Sequence, residues 1–206
     1  MSTGRVLQLK ESIADCHQSI QGVGLQTCFE LYRNGAHVLM GCRSQAKYEI
    51  AKEAIRSRLT PEQQRGKLNF VQVDTSTIKK AQSAAYDVLA RADITRLDIF
   101  IANAGKGSTL GPLNEDGVEP FMATNCLGHS ALLQLLLPLI IETSKTAQTS
   151  CRIVFVSSIA HLWSSLIWPF SITPTFASWD DVNDKRIGVR GLYSRSKVRF
   201  AAFSLK

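Results

Sequence analysis

Four short apolar runs, each separated from the next by a stretch with helical spacing, constrain this chain more than any other feature. They are Ala36–Met40, Leu68–Val73, Leu97–Ala102 and Arg152–Val156. Their near-continuous apolar character predicts strands buried on both faces, as in a parallel sheet, rather than strands with one wet side. Between them, Asn34-Gly35 reads as a helix stop. Ser44 is placed to cap a helix running to about Leu59, with Pro61 just beyond its end. Further helices are predicted over about Ile78–Arg91 and Val118–Thr143, and from near Leu192 onward. Strand–helix alternation with right-handed crossovers implies an α/β fold: a doubly wound parallel sheet of Rossmann type. We expect one domain over residues 1–206. In such a sheet ligands bind where the strands end at their carboxyl side.

Composition excludes several other classes. Apolar residues make up 45% of the 206 and charged residues 20%, the balance of a chain with a core. The longest apolar stretch, Ala131–Ile141, falls short of the roughly 20 residues of a membrane span. The first fifteen residues carry Arg5, Lys10, Glu11 and Asp15 and lack the apolar segment of a secretory leader, so the expected location is cytoplasmic. The five cysteines and four histidines show neither metal-ligand nor disulfide-framework spacing, so no metal is expected. The formal charge of +7 is local: Lys185 to Lys206 holds seven basic residues and no acidic one. A nucleic-acid-binding patch would look similar but would bring a binding motif or interleaved aromatics, so no nucleic acid is expected as partner.

The chemistry-bearing residues fall just after the strands. Gly22-Val23-Gly24 opens a helix, a turn that lets backbone N–H groups approach a pyrophosphate or is simply a turn. Arg43 follows the second strand, where a dinucleotide site selects NADP by meeting the 2′-phosphate with a guanidinium; a solvated arginine is the alternative. Asp74 ends the next strand and could accept from an adenine amino group, or belong to a helix cap shared with Thr75 and Ser76. Asn103-Ala104-Gly105 lets the backbone lie against a ligand. Asn125 sits inside a long helix, and Ser157-Ser158 ends a strand. Tyr193 and Lys197, at i and i+4, share a helix face. An ammonium beside a phenol favours the phenolate, which suits general acid–base work near neutral pH.

Taken in order, these residues resemble the short-chain dehydrogenase/reductase family. The retinol-dehydrogenase-like branch is the most similar, on Asn125-x-x-Gly128-His129 and Val156-Ser157-Ser158-x-Ala160-His161. The resemblance implies that Tyr193 transfers a proton to or from the substrate oxygen. It implies that Lys197 binds the nicotinamide ribose and tunes Tyr193, that Ser158 orients the carbonyl, and that Asn125 holds a water of a proton relay. Gly22, Gly24, Arg43, Asp74, Asn103, Ala104 and Gly105 would line the cofactor together with Tyr193 and Lys197, with NADP favoured over NAD. His129 and His161 are expected to be structural.

The implied function is an NADP(H)-dependent oxidoreductase. It would interconvert an alcohol and a ketone or aldehyde on a lipophilic small molecule, in a biosynthetic, secondary-metabolite setting. Leu162, Trp163, Leu166, Ile167, Trp168 and Phe170 are candidates to line the substrate pocket or, equally, to pack in the core. A homodimer through the helices near Val118 and Leu192 is the expected assembly. The alternative is a catalytically impaired remnant that binds a nucleotide or a protein.

Two departures from the family qualify this reading. His17 and Gln18 stand where Thr-Gly is usual, and Lys10–Cys16 is too charged for a strand buried mid-sheet, so residues 1–19 are atypical. The family's C-terminal, substrate-closing region does not follow Lys197, which leaves Ile153–Val156 as an apolar sheet edge.

Overall fold

The computed structural model describes residues 11–15, 22–146, 150–162 and 176–203; for 11–15 and 199–203 it describes the backbone alone. His17, Gln18, Trp163, Leu166, Ile167, Trp168 and Phe170 lie outside these residues. Among the described residues, five strands form one parallel sheet in the order β3-β2-β1-β4-β5. They are β1 (Glu11–Asp15), β2 (His37–Cys42), β3 (Lys67–Gln72), β4 (Ile99–Ala102) and β5 (Arg152–Phe155). The long helices are α1 (Val23–Arg33), α2 (Gln45–Arg56), α3 (Ile78–Leu89), α4 (Pro120–Thr146) and, after the short α5 (Trp179–Val182), α6 (Gly188–Phe203). This is the expected doubly wound α/β architecture.

Strand alternation divides the core. Leu39, Val71 and Phe100 face one way and pack under α3 and α4 with Leu132, Leu136 and Ile140. Val38, Met40, Ile99 and Ile101 face the other way and pack against Phe29 and Tyr32 of α1 and Ile55 of α2. Successive side chains of a strand point to opposite faces, so both faces are apolar only because helices cover both. Local chemistry sets several boundaries as expected. The Ser44 hydroxyl accepts from the Lys47 N–H, and Asn34 ends α1 with Gly35 at φ 91°. The cap of α3 is Thr77, which accepts from the Lys80 N–H at 3.2 Å, so neither Thr75 nor Ser76 fills that role.

The sequence reading needs correction in three places. First, β1 lies in the middle of the sheet, between β2 and β4, although its sequence reads as a poor buried strand. Ile13 pairs with Leu39 on one side and Phe100 on the other. The two flanking strands offer facing backbone edges, and unpaired backbone groups are costly enough to recruit a strand of indifferent composition. Second, α4 continues well beyond the eleven-residue apolar stretch. By length and composition it could cross a membrane, yet half of its most apolar window is buried inside this protein. Third, α6 begins at Gly188, a turn earlier than Leu192.

The start of α4 is fixed by a buried carboxylate. Glu119 is fully buried and accepts from the backbone N–H groups of Phe121 and Met122, while its own N–H donates to Asn183 Oδ1 at 2.8 Å. Burial holds its carboxyl above the usual range, against the pull of those N–H groups and of Arg195 and Lys185. Removing the cap with Glu119→Ala is expected to cost about 1–2 kcal/mol in urea unfolding; an unchanged midpoint would show that Pro120 alone sets the helix start.

Among the described residues β5 is the outermost strand on its side of the sheet, with Ile153 and Val154 each 39% exposed.

Candidate active site

A cleft of about 320 Å³ opens at the carboxyl ends of β4 and β5. Four segments build it. The first is the start of α1, where Val23 and Gly24 line the wall. Gly22 caps this helix at φ 140°, a conformation that favours glycine. The second is Asn103-Ala104-Gly105 with Gly107, after β4; the third is Val156-Ser157, after β5. The fourth is the face of α6 that carries Tyr193 and Lys197. The i, i+4 spacing therefore delivers both side chains to one cavity, as a helix requires.

Lys197 is 4% exposed, and its Nζ donates to the Val156 carbonyl at 3.0 Å. Burial pushes its ammonium below the usual lysine range, opposed by Cys126 nearby. The same Nζ stands 5.9 Å from the Tyr193 ring centre. The loop after β4 passes close over this pair. A Cβ on Gly105 would lie 3.4 Å from both Lys197 Nζ and Asn125 Oδ1, and one on Gly107 would lie 3.8 Å from the Tyr193 ring. Small residues here leave the lysine amine and the phenol open to the cleft.

Asn125 lies in a π-helical turn, Ala123–Leu127, within α4. Such turns recur at functional sites because they re-aim a side chain. Its Oδ1 accepts from the Lys106 N–H at 2.6 Å, and its Nδ2 donates to the Lys106 carbonyl at 3.0 Å and to Ser196 Oγ at 2.9 Å. Both amide protons are thus committed to protein partners, and Asn125 holds the loop after β4 rather than lining the cleft. Ser196 was not singled out from the sequence. The available clue was its position three residues after Tyr193, where a serine hydroxyl can bond back to the i−3 carbonyl.

The two serines after β5 diverge. Ser157 lines the cleft and donates its hydroxyl to the Lys197 carbonyl at 3.2 Å. Ser158 Oγ accepts from the Ala160 N–H at 3.2 Å at the start of a 3₁₀ turn, Ile159–Leu162, that packs against α6. That bond uses a lone pair and leaves the Ser158 proton able to donate. His161 Nδ1 donates to the Ser158 carbonyl at 2.6 Å, and His129 is fully buried with Nδ1 3.4 Å from the Asn125 carbonyl.

Arg43 and Asp74 stand beside each other after β2 and β3, apart from the residues lining the cleft. Burial alone would raise the Asp74 carboxyl. Hydrogen bonds from Ser76, with Lys80 at 3.6 Å and Arg43 nearby, outweigh it and hold the group below the usual carboxylate range. The guanidinium of Arg43 is exposed. The basic C-terminal stretch is no uniform patch: Arg195 and Lys197 are buried, Arg195 donating to the Asp181 carbonyl, and Arg186 pairs with Asp184 at 2.8 Å.

Comparison with known proteins agrees with this geometry. The sequence pattern of the short chain dehydrogenase family matches residues 19–169. A short-chain dehydrogenase/reductase of Armillaria gallica is 35% identical over 160 residues, 77% of this chain and 48% of the relative. Human retinol dehydrogenase 13 is 29% identical over 185 residues, 89% of this chain and 49% of the relative. The chain spans about half the length of the curated relatives it matches. Among solved structures, an NADH-dependent reductase, A1-R′, complexed with NAD superposes with a TM-score of 0.67 at 18% identity, over 95% of this chain and 70% of that one. The RhlG/NADP complex of Pseudomonas aeruginosa gives 0.62 at 21% identity, over 95% and 64%. Sheet order, cleft and family pattern lead to one conclusion: this chain belongs to the short-chain dehydrogenase family, whose members are oxidoreductases that use nicotinamide nucleotides.

Proposed function

We propose that the protein is an NADP(H)-dependent oxidoreductase that interconverts an alcohol and a ketone or aldehyde on a lipophilic small molecule. The observation that carries this reading is the Tyr193–Lys197 pair, with the lysine buried and both side chains lining one cleft at the strand ends. The cleft suits a nicotinamide nucleotide: a glycine turn into a helix start at Gly22, a wall of small residues at Ala104 and Gly105, and a buried amine at Lys197. When bound, the nucleotide supplies or accepts the hydride. Tyr193 moves the proton at the substrate oxygen. Lys197, whose Nζ donates to the Val156 carbonyl, holds its amine beside the phenol and the nucleotide ribose. Ser158 donates its spare proton to the substrate oxygen, and Asn125 fixes the loop that lies over the pair. Asp74, kept ionised, accepts from the adenine amino group.

Arg43 is the support for NADP: an exposed guanidinium at the end of β2, where a 2′-phosphate would stand. Replacing it with aspartate should weaken NADPH binding about 10- to 100-fold, the worth of a charged hydrogen bond, and leave NADH binding equal or tighter. Fluorescence titration of the wild type and the variant with both nucleotides measures this. An unchanged NADPH/NADH ratio would remove Arg43 from the site.

The lipophilic substrate rests on similarity to the retinol dehydrogenases, and the biosynthetic setting and homodimer on the family resemblance. A localisation assay tests the cytoplasmic reading against the plastid, since a relative, TIC 32 B of Brassica napus, is described as chloroplastic. The deciding experiment is saturable NADPH binding followed by a carbonyl-substrate screen. Binding without turnover on any carbonyl would favour a nucleotide-binding module instead.

A further inference from the structure

We propose that Ser196 is a positioning residue for the proposed reaction, setting the register of Tyr193 against the loop after β4 through the Asn125 amide. Ser196 and Asn125 are both fully buried. The Ser196 hydroxyl donates to the Tyr193 carbonyl at 2.7 Å and accepts from Asn125 Nδ2 at 2.9 Å. Asn125 in turn holds the Lys106 N–H and carbonyl at 2.6 and 3.0 Å. One unbroken chain of hydrogen bonds therefore runs from the turn that carries Tyr193 to Lys106. The two glycines flanking Lys106 are the ones that approach Lys197 and the Tyr193 ring.

The donors and acceptors in this chain are matched. A serine hydroxyl has one proton, spent on Tyr193, and it accepts one of the two Asn125 amide protons; the other goes to Lys106. An alanine at position 196 would strand a buried Asn125 donor and cut the only described hydrogen-bonded link between the Asn125 amide and α6. The Asn125 amide, held from one side only, would grip the Lys106 N–H less firmly, and the helix carrying Tyr193 would lose its reference to the loop. Position, not binding, is what such a change disturbs.

The inference rests on the oxidoreductase reading, and its test separates the two. Ser196→Ala, Ser196→Cys and Ser196→Thr are compared with the wild-type chain for kcat, KM, NADPH Kd, melting temperature and hydrogen exchange at the Lys106 amide. Ser196→Ala should lower kcat about 10- to 100-fold, as a misplacement of the order of 1 Å does, with nucleotide Kd unchanged and faster exchange at Lys106. Ser196→Thr, which keeps the hydroxyl, should restore both. Full kcat in Ser196→Ala would overturn the proposal. So would a kcat loss that tracks a fall in melting temperature and nucleotide affinity and is not rescued by threonine. If the alanine variant does not fold, the cysteine variant decides: an intermediate kcat supports the tether, and a wild-type value refutes it. If the wild-type chain itself shows no turnover, the oxidoreductase reading fails. The tether is then judged on Lys106 exchange alone, where an unchanged rate in Ser196→Ala refutes it.

Discussion

Turnover should fall about 10²- to 10⁴-fold when Tyr193 is replaced by phenylalanine, while NADPH binding should be retained. The size of the effect follows from what the substitution removes. The ring stays, with its packing against the loop at Gly107, and Lys197 keeps its anchor on the Val156 carbonyl, so neither the fold nor the cleft wall changes. The phenolic hydroxyl alone is lost, and with it the group that the proposed reaction uses to move a proton at the substrate oxygen. Steady-state kinetics at saturating nucleotide, paired with a fluorescence titration, separate the two properties. A Tyr193→Phe enzyme within a few-fold of wild type would exclude Tyr193 as the proton-transfer group.

The largest expected loss of stability comes from a single added methyl. A Cβ on Gly128 would sit 2.3 Å from the Thr75 carbonyl oxygen and 2.7 Å from the Thr75 Cβ. Thr75 is fully buried in the turn between β3 and α3, so its carbonyl has nowhere to swing. The helix α4 must lift instead. By intrinsic propensity, alanine in a helix is better than glycine by about 1 kcal/mol, so propensity alone predicts that Gly128→Ala stabilises. The steric cost of overpacking a site that cannot relax is about 3 kcal/mol and has the opposite sign. We expect the steric term to win, lowering the melting temperature by roughly 5 °C or more. A variant at least as stable as wild type would mean that α4 is free to shift. Because Asn125 lies one turn upstream, reduced activity should accompany the loss.

How much of this was legible in the sequence depended on how local its cause is. The strands of the sheet could be read because both faces are buried, which makes Val38–Met40 and Ile99–Ala102 apolar without interruption. The Tyr193–Lys197 pair could be read because a helix turns i and i+4 onto one face whatever surrounds it. Ser196 could not: a serine in a helix is ordinary, and its importance lies in Asn125, 71 residues away. The π turn at Asn125 was hidden for the same reason, since helical spacing does not record one inserted residue. Thr77 took the α3 cap from its neighbours through backbone geometry that composition does not express. The misjudged strand, β1, shows the limit most clearly: its place comes from the edges of β2 and β4, not from its own side chains.

That central strand also governs the order in which the molecule assembles. Residue 13 meets residue 39 across one ladder and residue 100 across the other. Closing the first contact spans a short segment that a single crossover helix fills. The second encloses nearly half the chain, and closure entropy together with slow long-range pairing makes it the later event. A chain emerging from the ribosome can therefore complete the β3-β2-β1 half first and wait for β4 to dock. Substitutions in residues 11–15 that weaken either ladder should lower equilibrium stability, and the share of the loss that appears as slower folding measures how far the halves have joined in the transition state.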